Sequence, residues 1–343
     1  MERREFCRFV GACAVVGCAG GLAGCARLLD WSASDTTAAV RELKPGRAVT
    51  PGSTDASGAA SATGSVPATS GATSSAPPDL AMFVGNDPGL NARAAVAALG
   101  GMTRFVRPGD RVVVKPNVVI GRAPELATTT NPYVVAAVVK MALEAGATDV
   151  VVFDRPTGVP RNSFEVSGIA QAVADAGGRV KYLSDRDFVS TSIPKGRILT
   201  AWPIVGDIFD ADVFINVPIA KNHGMAGLTL SMKNLMGVLG GSRGTIHQDF
   251  AQKIVDINSL VRPHLVVLDA YRILLANGPT GGNPADVRTT KTCIAGTDPV
   301  AVDSLATSLF GMKPSDLDYL VTAGEQGLGV TDLSKLRIRK GTS

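Results

Sequence analysis

From Leu80 to Leu309, β-branched runs of four to six residues alternate with Ala-rich stretches whose apolar residues recur every three or four positions. Runs apolar on both faces predict buried strands, and the 3.6-residue period predicts helices laid over them. Strands are expected at Leu80–Gly85, Arg111–Lys115, Asp149–Phe153, Arg179–Leu183, Ala211–Val217, Leu265–Asp269 and Lys291–Ala295. Helices are expected at Ala92–Leu99, Phe164–Ala176, Gln248–Leu260 and Pro299–Leu309. A further helix starts at Asn131-Pro132, an N-cap followed by proline at the first helical position. Its apolar stripe is Val135, Val138, Val139, Ala142 and Leu143, and it ends at Gly146. The repeated strand–helix unit predicts an α/β fold, with mostly parallel, Rossmann-like sheets covered by helices.

The pattern vanishes before residue 80. In residues 48–78, every position except Val49, Asp55 and Val66 is Ala, Gly, Ser, Thr or Pro. Such a segment buries too little apolar surface to offset its ordering entropy, so residues 25–79 are expected to be a disordered linker. The start reads as an export signal over residues 1–24. Arg3-Arg4 with Phe6 resembles a twin-arginine motif, and the apolar run Phe9–Leu22 is short for a membrane span. Leu22-Ala23-Gly24-Cys25 resembles a lipoprotein box, which makes Cys25 the expected lipidation site, against the plainer reading of an ordinary signal peptide with a chance cysteine. The expectation is a protein carried by the twin-arginine translocase and held by a lipid anchor at the cell membrane, facing the periplasm or exterior. The body, residues 80–343, is read as one α/β domain or as two lobes, 80–205 and 206–343.

Of five cysteines, four lie in the first 25 residues and leave only Cys293 in the body, read as a core residue. That excludes a disulfide framework there and any iron–sulfur cluster ligated by the body's own cysteines. Formal net charge is +4, with no basic stripe carrying interleaved aromatics, so no nucleic-acid partner is expected.

Polar residues gather where the predicted strands end: Lys115 and Asn117, Asp154 and Arg155, Lys221 to His223, Asp269, then Asp298 and Asp303. Ligands of open α/β sheets bind beyond the carboxyl ends of the strands. The densest stretch, Asn216 to Asp249, holds His223 and His247, with Lys221, Lys233, Asn222, Asn234 and Arg243 among six glycines. Histidine suits metal ligation or acid–base work, and a buried lysine suits covalent chemistry; solvated surface charge is the plainer reading of the lysines. His264, after Pro263, is read as structural. The Gly278–Gly282 loop, with Gly281, is either a plain turn or a backbone cradle for phosphate.

These residues resemble a bacterial and archaeal family, number 362 among the domains of unknown function. The matching pieces are VVVKPNVV, the block from Thr130 to Asp154, NVPIAKNHGMAGLTLSMKNLMGVLGG with the later His247, NGPTGG and AGTDPVAVD, spanning roughly 80 to 310. A more limited resemblance links His223, Ala226-Gly227, Lys233 and His247 to the nickel-pincer lactate racemases. It implies a nucleotide-derived pincer cofactor on Lys233, nickel on His247 and proton transfer by His223. The chain departs from that family in having no histidine before His223, so a second acid/base histidine is missing, and in its Lys233–His247 spacing.

The expected function is an exported, membrane-tethered enzyme acting on a small anionic substrate with a divalent metal or organometallic cofactor, by redox or isomerisation at a carbon next to an oxygen. Its expected catalytic residues are His223, Lys115, Asp154 and Asp269, with Lys233, Asn117, Asn234 and Gly281 at the cofactor and His247 at the metal. The alternative is a non-catalytic lipoprotein binding a small anionic ligand or metal for a partner.

Overall fold

The computed structural model describes residues 41–44 and 76–343. The expected signal peptide, Cys25 and most of the linker lie outside them. Residues 41–44 fall within the expected linker yet sit against the domain: Leu43 packs on the core and Lys44 Nζ lies 2.7 Å from Asp212 Oδ1.

The first half reads largely as its pattern implies. Strand β1 (Leu80–Val84) leads to helix α1 (Pro88–Ala98), whose cap Asp87 accepts from the amides of Gly89 and Leu90. Strand β2 (Arg111–Pro116) is followed by α2 (Pro132–Glu144), where Asn131 accepts from Tyr133 N. Strand β3 (Asp149–Val152) follows. The helix expected over 164–176 is two, α3 (Pro160–Val166) and α4 (Ile169–Asp175), because Gly168 between them takes a left-handed φ of 73° and turns the chain. Strand β4 is only Arg179–Val180. A hairpin of β5 (Phe188–Ser192) and β6 (Ala201–Val205) then forms a separate two-stranded sheet, before α5 (Asp207–Asp210).

The second half differs more. Strand β7 (Val213–Val217) is continued after Pro218 by β8 (Ile219–His223), so Lys221 and His223 sit on a strand, not in a turn. After β9 (Gly227–Thr229), the short helix α6 (Ser231–Asn234) carries Lys233 and Asn234. Helix α7 (Phe250–Leu260) leads to β10 (Leu265–Leu274) and β11 (Val287–Gly296). These two strands run further than expected because they pair as one long antiparallel hairpin, bulged at Ala270–Arg272. Helices α8 (Pro299–Thr307) and α9 (Asp318–Glu325) precede the edge strand β12 (Ile338–Thr342).

The large sheet runs β12-β1-β11-β10-β7-β2-β3-β4, with β8 beside β10 and β9. Pairs β10–β7, β7–β2, β2–β3 and β3–β4 are parallel, and β11 is antiparallel to both its neighbours. The fold is therefore α/β with a mostly parallel mixed sheet. Residues 80–205 and 206–343 do not separate into two sheets, because β7 of the second stretch lies between β2 of the first and β10.

Both faces of the sheet are covered. One core packs α1, α2 and α4 on Val112, Val114, Val150, Val152 and Ile215; the other packs α7, α8 and α9 on Val113, Val151, Phe214 and Leu268. This is the period-2 alternation of a buried sheet, and each such Val, Ile or Leu contributes roughly 1.5–3 kcal/mol. Cys293 is buried in the first of these cores, and burial pushes its thiol pKa up, as suits a packing residue. His264 bridges chain segments: its Nδ1 accepts from Phe214 N at 3.0 Å, and its Nε2 lies 2.9 Å from Lys44 O. Among the described residues, no helix is long and apolar enough to cross a membrane.

Candidate functional site

Parallel strands β2, β3 and β7 end at one edge, and a buried polar network is built there. Lys115 Nζ lies 2.8 Å from Asp154 Oδ1, 2.9 Å from Pro116 O and 3.1 Å from Asn234 Oδ1, so its three protons all have acceptors. Lys221 Nζ donates to Asn117 Oδ1 at 2.9 Å, to Thr128 O, and to Pro279 O at 3.3 Å. The asparagines connect the two lysines. Asn117 Nδ2 reaches Asn234 Oδ1 at 2.9 Å, and Asn234 Nδ2 reaches Asn216 Oδ1 at 2.7 Å. Gly237 closes over the ion pair: a Cβ there would stand 1.9 Å from Asp154 Oδ1 and 2.6 Å from Lys115 Nζ, so no larger residue fits. Burial, reinforced by Lys233, pushes the Lys221 pKa down to about 7.

A second group stands beside this network. The rings of His223 and His247 stack at 5.5 Å and 16°, and Phe250 stacks on His247 at 5.8 Å. Lys233 Nζ lies 5.5 Å above the Phe250 ring, and among the described residues its hydrogen-bond partner is the Met236 thioether at 3.5 Å. Of the four buried lysines among the described residues, Lys115, Lys221, Lys233 and Lys253, Lys233 alone has no oxygen acceptor. Burial first, then nearby Arg243, pushes its pKa down to about 8.

The two histidines are in opposite tautomers. Gly244 O lies 3.2 Å from His247 Nδ1, and a carbonyl only accepts, so Nδ1 carries the proton and Nε2 the lone pair. That Nε2 is buried without a partner. His223 Nδ1 accepts from Met225 N at 3.2 Å, which leaves its proton on Nε2. Burial, with the charges of Lys233 and His247, pushes the His223 pKa down to about 3. The surroundings are short of negative charge: His247 faces Lys233 and Arg243, while Arg243 faces Asp154 and Arg155. Among the described residues, no group of three or more His, Cys, Asp or Glu is arranged to hold a metal.

The structure thus brings His223, Lys233 and His247 together and separates them from other expected site residues. Lys115 and Asp154 pair with each other in the buried network. Asn117 and Asn234 spend their amides holding lysines, not a cofactor. Asp269 stands apart: its carboxylate accepts from Asn131 N at 2.8 Å and Tyr271 N at 2.9 Å, tying β10 to the start of α2. Gly281 turns its N–H into its own loop, onto Asn277 O at 2.9 Å, so that amide is not offered to a phosphate. Asp298 caps α8, and Asp303 accepts from the amides of Ser231 (2.7 Å) and Met232 (3.0 Å), fixing the helix that carries Lys233.

Three contributors are missed by sequence reasoning. Phe250 and Tyr319, whose ring meets Phe250 edge-on at 5.9 Å, belong to apolar helix faces and carry no polar signal. Asn216 does carry one, as an amide inside the apolar run Val213–Val217; a buried amide requires partners, which marks it as part of a network.

A family model described as "Domain of unknown function (DUF362)" matches residues 112–308. A thylakoid-associated protein from Synechocystis is 30% identical over 253 residues, covering 70% of this chain and 75% of that protein. A crystal structure of a protein from Thermotoga maritima aligns with a TM-score of 0.43 at 11% identity, over 67% of this chain and 60% of that one. The lactate racemase apoprotein from Thermoanaerobacterium thermosaccharolyticum aligns with a TM-score of 0.38 at 11% identity, over 64% and 53% of the two chains.

Proposed function

The chain belongs to the DUF362 family, and we propose that it is an exported, membrane-tethered enzyme that binds a small anionic substrate at Lys233 and the stacked histidines. The observation that carries this reading is Lys233: a buried lysine without a carboxylate or carbonyl partner, beside Arg243 and two neutral imidazoles. A substrate carboxylate or phosphate supplies the missing negative charge. It also raises the basicity of His223, which burial and its cationic neighbours hold low. His223 then donates from its Nε2–H to the substrate oxygen, stabilising charge that develops there in an isomerisation at the carbon next to it.

The orphaned Nε2 of His247 fits a metal ligand, since its Nδ1–H is held by a carbonyl in the manner of metal-bound histidines. His247 would hold the metal of such a cofactor, while Lys233 keeps its charge for the substrate anion. A metal held there would supply Lewis-acid polarisation of the substrate oxygen. Arg243 and Lys233 orient the anion, while the Phe250 ring excludes water from one side. The network of Lys115, Asp154, Asn117, Asn234 and Lys221 fixes the floor on which these groups stand.

Metal content tests the assignment. The full chain, exposed to nickel, cobalt or zinc and desalted, is expected to retain about one metal ion per molecule, while His247→Ala loses at least ~10-fold in affinity. Equal retention by both proteins sinks His247 as the ligand. The tether is a separate expectation, supported by the Cys25 motif: Cys25→Ala should move the protein from the membrane fraction to the soluble one, and an unchanged distribution rules out the anchor.

A further inference from the structure

Beside the histidine stack lies a cavity of about 510 Å³, lined by Ile198, Met225, Phe250, Leu317 and Tyr319, with Asp249, Asp316 and Asp318 among its polar wall. It adjoins the site through two shared residues. Phe250 is the ring beneath Lys233 and against His247, and Met225 donates its amide to His223. Met225 is 70% exposed and Ile198 is 45% exposed, so two of the largest exposed apolar side chains stand at one opening. Tyr319 is buried, and its hydroxyl has no hydrogen-bond partner. Around the apolar wall the formal charge is negative. Asp249 pairs loosely with Lys253 at 3.8 Å, Asp316 accepts from Lys313 N, and Asp318 is exposed.

We propose that this cavity is the subsite for the rest of the substrate, which is an amphiphilic anion: an acidic head at Lys233, an apolar body along Phe250, Leu317 and Met225, and a neutral or cationic far end at the aspartates. The inference rests on the anion-binding reading of Lys233 and extends it to the substrate class. The cavity volume suits a small organic molecule and exceeds what a two- or three-carbon acid fills. The charge pattern supplies the polarity. Lys233 stands beside the histidines without a carboxylate partner, while Asp249, Asp316 and Asp318 line the cavity, so a second acid on the molecule is repelled there.

Binding of simple probes to the full chain tests this by calorimetry. Octanoate is expected to bind roughly 100-fold tighter than butanoate, the return on burying four more methylenes. Against octanoate, 8-aminooctanoate should bind several-fold tighter and octanedioate several-fold weaker. Asp318→Asn should narrow that spread, and Thr322→Phe, which fills the cavity from the half-buried Thr322 that lines it, should erase the chain-length gain while leaving butanoate binding unchanged. If all chain lengths bind equally, or if octanedioate binds best, the subsite is wrong while the anion site stands. If no carboxylate binds wild type and Lys233→Met alike, the anion site itself is wrong and the subsite falls with it.

Discussion

Asp154→Ala is expected to lower stability by about 3–5 kcal/mol, because it strands the Lys115 ammonium in the interior. Lys115 and Asp154 side chains are 0% and 4% exposed, so water cannot replace the lost partner. The carboxylate also accepts from Val118 N and, at 2.9 Å, from Arg155 N, and those amides lose their acceptor too. In a domain of this size the drop corresponds to a melting temperature lower by roughly 10 °C. The double variant Lys115→Met with Asp154→Leu removes both charges and should recover much of that loss, since a buried pair contributes little over an apolar isostere. Urea titrations of the three proteins decide it. A loss below ~1 kcal/mol for Asp154→Ala would mean that Lys115 reaches solvent or another acceptor.

That ion pair also shows how far the sequence could be read. Lys115 and Asp154 end the clearest β-branched runs in the chain, so their place at the strand ends was legible from alternation alone. Their pairing was not, because 39 positions of sequence say nothing about which strand lies beside which. The capped helix at Asn131-Pro132 was legible for a local reason, as its cap and its apolar stripe agree. Strand β8 was not, because Lys221, Asn222 and His223 look like a loop to any polarity rule. Only the neighbouring β9 and β10 and the acceptors around Lys221 make a strand of them. The break at Gly168 shows the same limit, since a glycine within a helical period gives no sign of its φ. Grouping His223, Lys233 and His247 needed only their closeness in sequence and the glycines between them. Excluding Asp269 and Gly281 needed hydrogen bonds to Asn131 and Asn277 that no spacing reveals. The family resemblance recovered the order of the motifs without assigning any of these partnerships.

His223→Gln is expected to flatten the loss of stability on acidification. In the folded protein the imidazole is held at about 3, against about 6.5 for the unfolded chain. Between those values the unfolded state binds a proton that the native state refuses. The His223 contribution is therefore fully present above pH ~6.5 and is lost as pH falls toward 3, at a slope approaching ~1.4 kcal/mol per pH unit. Asp303 and Asp269 act in the opposite direction. Burial raises them to about 7 and about 6, so their contribution is greatest below the unfolded carboxylate pKa and is lost as pH rises through 6 to 7. The sum for the wild type is partly compensated, which makes the difference between proteins the useful quantity. From pH 6.5 to 5, wild type should lose roughly 2 kcal/mol relative to His223→Gln. Asp303→Asn, by removing an opposing term, should make the same limb steeper than wild type. Chemical denaturation at half-unit pH steps measures both. If wild type and His223→Gln run parallel across this limb, His223 titrates normally, and the cation-rich, carboxylate-poor surroundings assigned to the site do not exist.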